Sequence, residues 1–191
     1  MKPLKFVDVQ SHDAYMARRD EIRRRIIALK KRRRIPLGPR VSLVFENRDT
    51  MLFQVQEMCR IEHITVPKLI QEEIDVYNDL LPEGMAIGAT LMIELVQTDD
   101  MPRLLKELRG LEETVWLRLG GEAIHAEAES GRSTEEKTST VHYLTFRFTP
   151  QLRQALTEAS HVILATEHPH YRFQSVLPQE TVVSLADDLM G

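Results

Sequence analysis

A chain of 191 residues with 42% hydrophobic content can close one sizeable core, and its single cysteine, Cys59, excludes an internal disulfide and every thiolate zinc cluster. No apolar run approaches the roughly 18 residues of a membrane span and no apolar signal core leads the chain, so it reads as soluble and cytoplasmic. The net charge of −4 conceals a division, because residues 1–40 carry 13 Lys and Arg against 4 acids while the remainder carries 12 against 25.

From Asp13 to about Arg34 the spacing of Tyr15, Ile22, Ile26 and Leu29 predicts a helix, with Ser11 or Asp13 as its cap and Arg19 inside the stripe. Five consecutive cations, Lys30 to Arg34, run into Ile35-Pro36-Leu37-Gly38-Pro39, which ends any helix. Val41 to Phe45 reads as a strand. Thr50 to Ile64 returns to helical spacing after the turn Asn47-Arg48-Asp49, and a break at His63 to Pro67 precedes a second helix from Val66 to Leu81, making a helical hairpin. Beyond it the texture turns to strands: Ala89 to Val96, Val115 to Leu119, Glu122 to Ala128, Thr140 to Phe148 and Val162 to Glu167. Gly120-Gly121 signals a tight hairpin. Short helices are predicted at Asp100 to Arg109 and Pro150 to Ala159, and an amphipathic segment from Glu180 to Leu189 closes the chain. Ser130 to Ser139 is the least structured stretch. The expected fold is a single α+β domain, a helical portion over about 1–82 packed on a mostly antiparallel sheet over about 83–191.

Three acids fall where unpaired carboxylates are costly. Taking about 100° per residue, Glu73 lies at the centre of the face that carries Leu69, Ile70, Val76 and Tyr77. One helix earlier, Glu57 lies among Phe53, Ile61 and Ile64, and Glu62 among Met51, Val55, Met58 and Cys59. Strand alternation turns His142 toward the core with Leu144 and Phe146, and His168 and His170 follow the last strand. Two readings stand for these acids. In one they are structural ion pairs with Arg19, Arg23 or Arg60. In the other, Glu57, Glu62, Glu73, His142 and His168 hold a first-row transition metal, iron, manganese or zinc, in a pocket between the hairpin and the sheet. The residue three after Glu57 is Arg60, which departs from the Glu-x-x-His pattern of four-helix di-iron proteins. Walker, dinucleotide-binding, nucleophile-elbow and zincin motifs are absent.

The runs Tyr15-x-x-x-Arg19-x-x-x-Arg23, Phe45-Glu46-Asn47-Arg48, Gln54-Val55-Gln56-Glu57-Met58-x-Arg60-Ile61-Glu62, Gln71-Glu72-Glu73 with Tyr77-Asn78, Glu136-Lys137-Thr138-Ser139-x-Val141-His142 and His168-Pro169-x-Tyr171 resemble the bacterial family called domain of unknown function 3501. Members of that family are encoded beside rubrerythrin-like and iron-sulfur proteins, so the resemblance implies a redox or peroxide-defence setting without naming a reaction. The expected function is a cytoplasmic accessory protein of such a system, with a metal as its possible cofactor. The alternative is a non-enzymatic interaction protein, docking an acidic redox partner or nucleic acid through Arg24, Lys30, Lys31, Arg32, Arg33 and Arg34 on the basic helix. Nucleic acid is disfavoured, because the basic run lacks aromatic residues on which bases could stack.

Overall fold

Ser11 starts the first helix by accepting from the Ala14 amide, and α1 (His12–Arg33) then runs without a glycine or proline until it passes directly into β1 (Arg34–Pro36). This is the computed structural model of the chain, and it describes residues 2–97, 100–131, 133 and 138–190. Of the prolines expected only to break the helix, Pro36 instead ends an edge strand, where it withholds no N–H that a neighbour needs, and Pro39 follows in the turn to the next strand. Next come β2 (Val41–Phe45), then α2 (Arg48–Ile61), capped by Asn47, and α3 (Pro67–Asp79), opened by its own proline. They are followed by β3 (Ala86–Ile93), α4 (Met101–Glu107), β4 (Val115–Leu119), β5 (Glu122–His125), β6 (Glu127–Ala128) and β7 (Val141–Arg147). The chain closes with α5 (Pro150–Glu158), β8 (Val162–His168), β9 (Tyr171–Val176) and α6 (Gln179–Met190).

The strands form two antiparallel sheets, β1-β2-β3-β7-β6 and β5-β4-β8-β9. Leu119 pairs with Glu122 across the Gly120-Gly121 turn, where Gly120 takes φ +65°. The predicted strand Glu122 to Ala128 is divided at the buried Ala126, so that one run of chain leaves the second sheet and joins the first. At the opposite margin the Ser175 hydroxyl donates to the Pro36 carbonyl, tying β9 to β1. Joined at both margins, the sheets enclose the main core, with Phe45, Ile87, Leu91, Leu117, Phe146 and Leu164 inside it and Leu156 and Leu185 supplied by α5 and α6. The architecture is α+β.

A smaller core of Leu4, Met51, Val55, Cys59, Ile74 and Leu81 lies between the N-terminal segment, α2 and α3. Two side-chain amides hold the N-terminal segment, which makes a 3-10 turn at Phe6–Asp8, against this hairpin. Asn78 accepts from the Leu4 amide at 2.7 Å and donates to its carbonyl at 3.0 Å, and Gln56 does the same for Gln10 at 2.9 and 3.0 Å. Half of the expected unstructured stretch, Arg132 and Thr134 to Lys137, lies outside the described residues, as do Thr98 and Asp99.

Candidate functional site

Glu57 lies midway along α2, opposite the stripe of α1 that carries Tyr15 and Arg19 four residues apart on one face. Arg19 grips it as a fork, Nε and Nη2 each 2.8 Å from a carboxylate oxygen. Arg60, one turn further along α2, adds a second fork at 3.2 and 3.1 Å, and the Tyr15 hydroxyl donates at 2.6 Å. The Arg19 fork, with Arg60 and Tyr15 behind it, holds the Glu57 carboxyl down at about 2 against the opposing effect of burial. Burial, and then the adjoining carboxylate, push the Tyr15 phenol up, so it stays a donor. Both oxygens of Glu57 are thus occupied by donors. One carboxylate answers two guanidinium groups, and the network keeps a surplus positive charge.

Arg60 and Tyr15 also wall a cavity of about 530 Å³ beneath the N-terminal segment. Phe6, Val9, Cys59, Ile64 and Ile70 make it mostly apolar, and Ser11, His12 and Asp13 bring the start of α1 to it. The Cys59 thiol is 6% exposed, and burial, reinforced by the charge of Glu73, pushes its pKa up, which makes it a poor nucleophile.

The metal pocket expected between hairpin and sheet is not assembled. Glu62 is exposed, because α2 ends at Ile61 and Glu62 is its cap, so the helical wheel that carried it to Ile64 does not apply. Glu73 is half-buried near Cys59 and Tyr77, on a face of α3 that neighbouring elements cover only in part: Leu69 is 43% and Val76 57% exposed. Arg23 is exposed and, among the described residues, has no carboxylate partner. His142 does face the interior, but its surroundings belong to the sheet portion. Its Nε2 meets the Thr138 hydroxyl at 2.8 Å and the Ser139 carbonyl at 3.0 Å, while Nδ1 lies 3.7 Å from Glu112, a buried acid that sequence periodicity does not single out. His168 is buried at the end of β8, with Nε2 donating to the Arg109 carbonyl at 3.0 Å and Nδ1 accepting from the His170 amide at 3.3 Å. Both of its ring nitrogens are therefore engaged, leaving no lone pair for an ion. Among the described residues, no three His, Cys, Asp or Glu side chains gather as a metal site.

The basic helix also divides. Arg33 is fully buried, correcting its expected place on a docking surface: it donates to the Phe45 and Glu46 carbonyls at 2.7 and 3.2 Å, to the Ser184 hydroxyl at 2.7 Å and to Asp188 at 2.5 Å. Lys30 is half-buried, 3.4 Å from Glu46, another buried acid missed in the sequence, and Arg34 meets Glu94 at 3.5 Å. Arg23, Arg24, Arg25, Lys31 and Arg32 are exposed, and none has a carboxylate partner among the described residues. Exposed Ile27 lies among them on α1, and exposed Met16 lies about two turns before them.

The family model described as Protein of unknown function (DUF3501) matches residues 3–189. The chain belongs to this family. A crystal structure of a novel protein of unknown function from Burkholderia pseudomallei K96243 is similar over 98% of this chain and 99% of that one, with 34% identity and a TM-score of 0.91. No curated protein matches. The DUF3501 model spans both the Glu57 network and the sheet portion, so the site and the two-sheet body belong to one family unit. Among the described residues, no helix is long and apolar enough to cross a membrane.

Proposed function

We propose that the protein is a non-catalytic accessory protein that docks an acidic partner protein on the exposed ridge of α1. The observation that carries this reading is the set of five exposed cations, Arg23, Arg24, Arg25, Lys31 and Arg32, left without carboxylate partners among the described residues of a chain whose net charge is −4. A chain with so many acids elsewhere could have neutralised them, as it does Arg19, Lys30 and Arg33. Unpaired cations on a rigid helix steer an anionic surface and fix its register. The exposed Ile27 among them, and Met16 about two turns before them, favour a protein surface over a phosphate backbone, which offers nothing to an apolar side chain. The redox setting implied by the family resemblance makes a rubrerythrin-like or iron-sulfur protein the first partner to try.

Calorimetric titration against such a purified protein tests the proposal. Affinity is expected to fall steeply as salt rises from 50 to 200 mM, on the order of tenfold, and to be lost in the Arg24→Glu/Lys31→Glu double variant while its melting temperature stays unchanged. Binding that the double variant retains, or that ignores salt, overturns the ridge as the docking surface.

A further inference from the structure

We infer that the cavity beneath the N-terminal segment is a binding site for a small amphiphilic acid, a medium-chain carboxylate that carries a hydroxyl near its head. Its volume of about 530 Å³ is within the range that small-molecule sites occupy. Three observations set the chemistry of the ligand. The walls formed by Phe6, Val9, Cys59, Ile64 and Ile70 call for an apolar body. Arg60 supplies the charge: its Nε and Nη2 are spent on Glu57, which Arg19 already neutralises, and Nη1 has no hydrogen-bond partner among the described residues. The surplus charge therefore lies at the wall of a largely apolar space, opposed there by the Asp13 carboxylate, which is exposed and screened by water, and at such a wall an anion is worth more than it would be in water. Gln10 supplies the third, since it lines the cavity and its side-chain oxygen is buried with no partner among the described residues. A buried acceptor left unpaired is costly, and a small turn of the Gln10 amide toward the cavity it lines would give that oxygen a ligand hydroxyl as its donor.

The roof of the site is built independently of any ligand. Gln56 clamps the Gln10 backbone and Asn78 clamps Leu4, so the segment over the cavity is held at two points while the residues between them form its roof. The ligand and the docking ridge are separate features. Arg60 belongs to α2, and the exposed cations Arg24 and Lys31 are on α1, outside the cavity wall.

Cys59, the one cysteine of the chain, lies in the cavity wall and serves as the reporter. 3-Hydroxyoctanoate is the probe, and octane-1,3-diol, the same length and hydroxylated but uncharged, is the control. The acid is expected to slow methanethiosulfonate labelling of Cys59 at least tenfold at saturation, and the diol at the same concentration less than twofold. Calorimetric titration of both compounds runs in parallel and reads binding even if the thiol labels slowly. In Arg60→Gln, checked for an intact fold by its melting curve, the acid should lose its advantage and bind no better than the diol. Equal protection and equal heats from acid and diol in the unaltered protein would overturn the assignment of an acid. Neither compound binding would overturn the site itself. Both of these outcomes are read on the unaltered protein, so they stand even if the Arg60 variant does not fold.

Discussion

Glu57 shows how much one side chain depends on its neighbours. With its carboxyl held at about 2 by Arg19, Arg60 and Tyr15, the folded protein binds this proton later than the unfolded chain, whose ordinary value is 4.5. The network's contribution is fully present above that ordinary value and is lost as pH falls from it toward about 2. Because the pair is partly wet, with Glu57's side chain 16% and Arg19's 26% exposed, its worth at neutral pH is about 1–2 kcal/mol, below the full linkage value. Glu57→Gln should therefore lower stability by about 2 kcal/mol at pH 7, since two guanidinium groups are then left facing each other. Urea unfolding across pH should show the gap between variant and parent closing in acid, and a gap that stays constant would mean that the charge is not what matters. Half of this network was legible in the sequence, because Arg19 falls inside the apolar stripe of α1 and a charge in that position must have a partner. Arg33 was legible by the same rule, four residues after Leu29, but its place in a run of five cations disguised a buried anchor as part of a docking surface. Glu46 and Glu112 gave no periodic signal, since Glu46 follows the end of β2 and Glu112 lies in the short 3-10 turn Leu111–Thr114 ahead of β4, where neither helical nor strand spacing says which way a side chain points.

The elements that read most clearly are those whose pattern and punctuation agree. Val41–Phe45 and Val115–Leu119 match their expected bounds to the residue, and Asn47, Asp100 and Thr149 each cap the helix that follows. β9 leaves no such signature because it is the edge of its sheet and its middle residues Arg172, Phe173 and Gln174 are exposed, so alternation leaves little trace. α3 shows a different limit. Its amphipathic face is evident, but a helical wheel gives the direction of an apolar face and says nothing about what covers it. Ile74 is fully buried, whereas Leu69 and Val76 look outward, and the expectation that Glu73 is sealed in fails with them. The turn between β1 and β2 makes a sharper demand on sequence. Gly38 takes φ +78°, and a Cβ there would lie 2.5 Å from the Phe173 ring and 2.7 Å from the Tyr171 hydroxyl, which itself donates to the Leu37 carbonyl at 2.8 Å. Gly38→Ala should cost about 2–3 kcal/mol from backbone strain and the displacement of β9. Thermal unfolding would measure it, and a loss under about 0.5 kcal/mol would show that the β1–β9 margin yields easily.

At the scale of the whole molecule, two cores of unequal size share one chain. The main core joins buried residues from both sheets and from helices α4, α5 and α6, whereas the hairpin core consists of six buried residues around Ile74. Burial at roughly 25 cal/mol per Å² leaves the smaller unit with far less to hold it, and its ties to the rest include the polar clamp at Glu57 and the packing of α1 on α2. The cavity lies against this weaker core, which suits a site whose roof must part to admit a ligand. Native-state hydrogen exchange should find the amides of α3 opening at a lower free energy than those of β3 and β7. Ile74→Ala, which removes a side chain with no exposure, should lower α3 protection by about 3 kcal/mol or until exchange there is unprotected, and leave β3 and β7 less affected. If α3 and β3 instead exchange at the same free energy and fall together in the variant, the hairpin and the sheets open as one unit, and any ligand must enter the cavity without the hairpin loosening.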